Sequence, residues 1–194
     1  MDEQLQQRLL KIEPKITAQE FLHNQGLGNE VGYYVFDYLP QYELAVREQV
    51  QSLAKKYDGK EGSLKIVLFD LYEIIIELLK ERGYLEKCFT FEQTKGTAYT
   101  CEAISKMLRL TGTDNLIVNH ILQHTPKENA VVFLTGVGKA FPLVRSHNVL
   151  NNLHQVLDRV PVVLFFPGKY SGQSLSLYGT VKAEHYYRAF QLVD

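Results

Sequence analysis

Four short apolar runs alternate along this chain with segments whose apolar residues recur at helical spacing, and this alternation constrains the fold most. The runs are VGYYVFDY at 31–38, LKIVLF at 64–69, AVVFL at 130–134 and PVVLFF at 161–166. Continuous apolar runs such as LKIVLF and PVVLFF are typical of strands covered on both faces. A helix between the last two runs permits a right-handed parallel crossover. The sequence therefore predicts an α/β fold, a single domain over residues 1–194 with a mainly parallel central sheet flanked by helices.

The helices and the remaining strands follow from the same periodicity. Helical spacing predicts helices over 43–57, 70–82, 100–110, 114–123 and 146–157, and a first helix that contains Leu5, Leu9 and Ile12. We expect Pro14 to end that first helix and Ser146 to cap the helix at 146–157. Residues 167–173 are expected to form a loop, followed by strands at 175–178 and within 184–192.

Composition narrows the class of protein. The chain has 194 residues, of which 45% are apolar and 22% charged, with a net charge of −1. These values are ordinary for a globular domain, and they do not indicate a nucleic-acid or membrane binder. The polar start MDEQLQQRLL does not resemble a secretory signal, and acidic and basic residues interrupt the most apolar stretch, 64–79. With only Cys88 and Cys101 as cysteines, we expect reduced thiols and a cytoplasmic location.

A glycine-containing turn follows the predicted strand at 130–134. Gly136, Gly138 and Lys139, with Arg145 further on, are the candidates for binding an anion, because a glycine turn can direct N–H groups at one. The pattern departs from a phosphate loop, which has a first glycine where Phe133 stands and Ser or Thr after the lysine. The competing interpretation is a tight turn with positive φ at the glycines. Binding of a nucleotide or nucleic acid through this turn is the alternative function.

Two carboxylates, Asp37 and Asp70, fall at predicted strand ends. Together they could hold Mg²⁺, which prefers oxygen ligands, and would then serve a metal-dependent hydrolase. The sequence D-x-x-E from Asp70 favours a helix cap instead, and Asp37 fits a hydrogen-bonded turn before Pro40 better than a metal site. Neither residue is therefore more than a weak metal candidate.

No complete catalytic motif stands in the sequence. His120 and His124 are spaced i, i+4, but the glutamate of the H-E-x-x-H zinc motif is missing between them. Ser146 has no G-x-S-x-G context. We therefore expect a protein that is not an enzyme and that needs no cofactor or metal.

Basic and aromatic residues lie together near the end of the chain. Lys169, Tyr170, Tyr186, Tyr187 and Arg188 are the candidates for binding a partner. Tyrosine and arginine are enriched at protein interfaces, and they can also stack on bases and contact phosphates. The small excess of positive charge in this region favours a protein partner over nucleic acid. Packing of the aromatic rings in the core is the competing interpretation.

Several blocks of the sequence resemble the BrxB family in order and spacing. The opening block is GLGNEV at 26–31 with YVFDY at 34–38, and the central block is FLTGVG at 133–138 with PLVRSH at 142–147 and LNNL at 150–153. The closing blocks are FPGKY at 166–170 and YYRAF at 186–190. The resemblance spans about residues 20–192, nearly the whole chain.

The resemblance implies a role in BREX, a bacterial system of bacteriophage exclusion. It implies a cytoplasmic, non-catalytic accessory subunit that works with other BREX subunits. The expected direct partner is PglZ, an alkaline-phosphatase-like protein. The family offers no catalytic residues to transfer to this chain. Oligomeric state, and any effect on the activity of the partner, do not follow from the sequence.

Overall fold

The computed structural model describes residues 2–22, 32–112, 114–181, 184–185 and 188–194, without the side chains of 61 and 184–185. The block at 26–31 and the partner candidates Tyr186 and Tyr187 lie outside these residues. No helix in the described ranges is long and apolar enough to cross a membrane.

Helices and strands alternate along the chain, as predicted. The helices are α1 Glu3–Ile16, α2 Gln19–Leu22, α3 Glu43–Lys56, α4 Leu71–Glu81, α5 Leu85–Lys95, α6 Thr97–Met107, α7 Leu116–His124, α8 Val137–Ala140 and α9 Ser146–Leu153. The strands are β1 Tyr33–Tyr38, β2 Lys65–Asp70, β3 Ala130–Thr135, β4 Val162–Tyr170, β5 Ser174–Leu177, β6 Glu184–His185 and β7 Phe190–Gln191.

The central sheet has the strand order β2-β3-β4-β1-β7, and each neighbouring pair in it is parallel. The register places Tyr38 opposite Pro167 at the carboxyl end of the β1–β4 pair. Beyond that point β4 continues into an antiparallel hairpin with β5, which in turn pairs with β6. The predicted fold class, α/β with a mainly parallel sheet flanked by helices, is confirmed.

Each face of the sheet is covered by its own helical layer. Alternate strand residues point to opposite faces, so Val132 and Val162 belong to one core and Val131 and Val163 to the other. We call the two sides the α4 face, which α4 to α9 cover, and the α3 face, which α1 and α3 cover. Burial on both faces explains why these strands are continuously apolar.

The structure corrects three local predictions. Pro14 lies inside α1, which continues to Ile16, so it does not end the helix. Arg145, not Ser146, precedes the first turn of α9, and no side chain caps that turn. Residues 167–170 belong to β4 rather than to a loop, because Pro167 pairs with the end of β1 and residues 168–170 pair with β5.

Two further differences concern elements that the periodicity alone does not define. The apolar periodicity does not predict helix α5, because Cys88 is its one buried residue and the helix lacks an apolar stripe. The predicted strand within 184–192 is present as two separate two-residue strands, β6 and β7.

Candidate functional site

A cleft opens at the carboxyl edge of the sheet, where the chain leaves β1 and β3 in opposite directions. After β1 the chain enters α3 on the α3 face, and after β3 it enters α8 on the α4 face. Strand β4 lies between β1 and β3. Parallel sheets bind ligands at such a reversal. The cleft has a volume of about 220 Å³ and is lined by Pro40, Glu43, Arg47, Gly138, Lys139, Pro167 and Tyr178. We call it the carboxyl-edge cleft.

One wall of the carboxyl-edge cleft is a hydrogen-bonded chain at the start of α3. The Tyr38 hydroxyl donates to Glu43 Oε2 at 2.6 Å, and Arg47 Nη2 donates to Glu43 Oε1 at 3.1 Å. Burial of the phenol, with the adjacent Glu43 carboxylate, raises the pKa of Tyr38 far above its ordinary value. The phenol therefore stays protonated and remains a donor.

The opposite wall is an ion-pair cluster between α8 and α4. Lys139 Nζ lies 2.7 Å from Asp70 Oδ2 and 3.3 Å from Glu73 Oε1. Burial by itself lowers the pKa of Lys139, but the two carboxylates outweigh it and the pKa is raised. Asp70 Oδ1 also accepts from the N–H groups of Tyr72 and Glu73, so the predicted helix cap is confirmed.

The glycine turn before Lys139 accommodates its neighbours. Gly136 has φ +74°, and a Cβ there would collide with the Asp70 carboxylate. Positive φ is thus confirmed at Gly136, but Gly138 lies within α8 and does not adopt it. A Cβ at Gly138 would collide with the Tyr178 hydroxyl. Each of these glycines makes room for a side chain of the protein itself.

Tyr178 is placed at the carboxyl-edge cleft by an uncommon backbone conformation. Its φ is +55°, in the left-handed region that residues with a Cβ seldom occupy. Its N–H donates to the Pro167 carbonyl at 2.9 Å, and its side chain is 40% exposed. The fold therefore holds an aromatic ring partly in solvent at the edge of this cleft.

Asp37 has a different set of contacts at the end of β1. Its Oδ1 accepts from Arg8 Nη2 at 2.9 Å and from Gln191 Nε2 at 2.7 Å, and its Oδ2 accepts from the Tyr170 N–H at 3.0 Å. Asp37 thus ties α1, β4 and β7 to β1 instead of closing a turn before Pro40. Strands β3 and β4 separate it from Asp70, a distance of about 14 Å at ordinary strand spacing. One ion cannot bind both carboxylates.

The histidine pair is part of the packing of α7. The His120 and His124 rings lie 4.3 Å apart, and His120 also meets the edge of Phe69. Burial, with His124 nearby, lowers the pKa of His120. Within the part of the chain that the structure describes, no group of three or more His, Cys, Asp or Glu residues could hold a metal ion.

The predicted partner-binding residues do not form one described surface. Tyr170 is buried and donates from its hydroxyl to the Ala189 carbonyl at 2.6 Å, so its expected place at an interface is wrong. Lys169 is exposed beyond the carboxyl end of β1. Arg188 is also exposed, but its carbonyl lies 3.2 Å from His154, whose ring stacks on Tyr33 at the amino end of β1. The two basic residues therefore flank opposite ends of that strand.

The predicted anion-binding residues also divide between two places. Lys139 lines the carboxyl-edge cleft, where two carboxylates hold its ammonium group. Arg145 is exposed and lines a separate, smaller pocket with Val144 and Phe166. The turn and Arg145 thus do not face one common cavity.

Comparison with known sequences identifies the family of this α/β chain. The sequence model of the family described as "BREX protein BrxB" matches residues 67–192. This chain belongs to the BrxB family. A protein of Bacillus cereus (strain H3081.97) named "BREX protein BrxB" is 50% identical over 190 residues, which cover 98% of each chain. A protein of the same name from Escherichia coli O9:H4 (strain HS) is 37% identical over 194 residues, 100% of this chain and 94% of that protein. No solved structure matches the chain.

The BrxB resemblance in the sequence is confirmed, but its blocks do not by themselves reveal the carboxyl-edge cleft. The sequence does not distinguish Glu43 and Arg47 as site residues, because on α3 they look like a solvent-exposed i, i+4 ion pair. Nothing in the sequence around Tyr178 indicates its place at the cleft. The available signal is Pro40, two residues after β1, since a proline that opens a helix shortly after a strand marks the carboxyl end of that strand.

Proposed function

We propose that this protein acts in bacteriophage exclusion as a non-catalytic accessory subunit of a BREX system. Membership of the BrxB family over nearly the whole chain carries the proposal, since two relatives that cover it bear the name "BREX protein BrxB". The direct partner in this proposal is the PglZ protein of the same system, with the other BREX subunits around it. A cytoplasmic location belongs to the same proposal.

The geometry of the charged groups supports a role without catalysis. Asp70 caps α4 and pairs with Lys139, and Asp37 holds Arg8 and Gln191. These carboxylates already have structural partners, whereas an acid or base catalyst needs an atom within reach of substrate. Family membership and this use of the candidate residues favour a binding protein.

Gel filtration with mass by light scattering tests the partnership. The purified chain is run alone, together with PglZ of the same system, and together with an unrelated alkaline phosphatase as the control. We expect a stable co-eluting complex with PglZ at micromolar concentration and none with the control. Separate elution of PglZ and this chain would contradict the proposal.

Titration tests the alternative, a nucleotide- or nucleic-acid-binding module. ATP and a short DNA duplex are added to the purified chain at two salt concentrations. We expect no saturable signal, because the Asp70 and Glu73 carboxylates already neutralise Lys139. Saturable DNA binding that weakens steeply with salt would support the alternative instead.

A further inference from the structure

Exposed apolar residues lie next in sequence to residues that line the carboxyl-edge cleft. Leu39, directly before Pro40, is 56% exposed, and Leu44, which follows Glu43 in α3, is 70% exposed. Each of the two leucines is the sequence neighbour of a residue that lines the cleft, and together with Tyr178 we call them the apolar rim. Apolar groups gathered at one place on a surface and bordered by charges mark an interaction site.

Two basic residues, Lys169 and Arg47, add positive charge to this region of the surface. Lys169 stands two residues after Pro167 in β4, so the two side chains share the α3 face, and Ser176 is the cross-strand neighbour of Lys169. No carboxylate of the described part of the chain pairs with Lys169. Arg47 is partly exposed and has donors beyond its bond to Glu43. The rim therefore offers cationic donors next to apolar surface.

Backbone strain and close packing at the cleft indicate that the position of Tyr178 is maintained. A residue with a Cβ seldom occupies φ +55°, and such strain concentrates where a protein binds other molecules. The missing Cβ at Gly138 admits the Tyr178 hydroxyl. Both features keep the ring between Pro167 and α8 rather than folded into the core.

We infer that the carboxyl-edge cleft and its rim bind a protein segment that carries an apolar side chain next to a carboxylate. The apolar side chain packs against Pro40, Pro167 and Tyr178, and the carboxylate receives Lys169 and Arg47. A free anion fits less well, because Lys139 is already neutralised and the rim is apolar. This inference rests on the proposed function, and it assigns the surface through which this chain binds PglZ.

Substitutions at the rim test the surface, with PglZ of the same system as the probe. Leu44→Glu places a carboxylate in the apolar rim, and Lys169→Glu reverses the charge that faces the partner. The matched controls are Phe89→Glu on α5, whose ring is 50% exposed on the other layer, and Lys87→Glu on the same helix. Affinity is measured by calorimetry, and urea unfolding establishes that every variant folds as the wild type does.

We expect Leu44→Glu and Lys169→Glu each to weaken binding at least tenfold, and the two α5 controls to change it less than twofold. Wild-type affinity in both rim variants, with the wild-type complex intact, would overturn the surface but leave the proposed function standing. Absence of any wild-type complex would overturn both. A dimer of the chain alone that Leu44→Glu dissociates would assign the cleft to a second copy and overturn the proposal.

Discussion

Replacing Asp37 by alanine should destabilise the protein more than any change of an exposed carboxylate. The substitution removes the carboxylate that accepts from the Arg8 guanidinium, the Gln191 amide and the Tyr170 N–H. Arg8 keeps the main-chain carbonyls of residues 37 and 193 as acceptors but loses its counter-charge. The substitution leaves the Arg8 charge largely out of water, because each of the two paired side chains is only 17% exposed.

The magnitude follows from these contacts. Removing one partner of a fully buried ion pair costs about 3–5 kcal/mol. Since both side chains retain some contact with water, we expect the lower end, about 3 kcal/mol of unfolding free energy. For a domain of this size that corresponds to a melting temperature lower by about 6–12 °C.

The assay is urea unfolding followed by circular dichroism, with Asp58→Ala as the matched control. Asp58 accepts from the ammonium group and the main-chain N–H of Lys60, whose side chain is 84% exposed, so the control should lose far less unfolding free energy than Asp37→Ala. In the double variant Arg8→Met/Asp37→Ala the cost should shrink, because no unpaired charge remains. A loss below about 1 kcal/mol for Asp37→Ala would refute the view that this ion pair holds α1 and β7 to the sheet.

Three further changes have expected outcomes. In urea unfolding, Gly136→Ala should lower the unfolding free energy by at least about 1 kcal/mol more than Gly172→Ala. Both glycines have positive φ, but of the two only Gly136 is so placed that a Cβ would collide with the Asp70 carboxylate. Equal losses would contradict that argument. Arg159→Met should cost about 2 kcal/mol in the same assay, because the guanidinium donates to three main-chain carbonyls in the last turn of α7 and just after it. A loss within error would show that water replaces the guanidinium. The unfolding free energy of the wild type should fall as the pH drops below about 6.5, because the pKa of His120 is lowered in the folded state and the unfolded chain binds this proton first. His120→Gln should flatten the dependence of the unfolding free energy on pH. An unchanged dependence would exclude His120 as its source.

Much of the fold could be predicted from local pattern. Strand residues that are apolar on both sides, as in LKIVLF, must be covered on both faces, and this alone indicates a three-layer α/β arrangement. The Asp70 cap needed only its own sequence neighbours, since a cap bonds N–H groups two and three residues away. The order of the sequence blocks indicated the BrxB family.

The candidate site could not be predicted in this way. Tyr170 is buried because β4 runs past β1 and directs that ring towards the Ala189 carbonyl, a contact that nothing near Tyr170 in the sequence specifies. Asp37 looked like a turn residue because its partner Arg8 lies 29 positions away.

The sequence by itself determined most of the helices and strands, the fold class and the family. Only the tertiary structure decided that β1 lies beside β4, so that α3 and α8 leave the sheet on opposite faces and the carboxyl-edge cleft opens between them. The physical reason is that side-chain periodicity specifies which face of a strand is buried, whereas the choice of neighbouring strand depends on how helices of particular length and shape pack over the whole sheet.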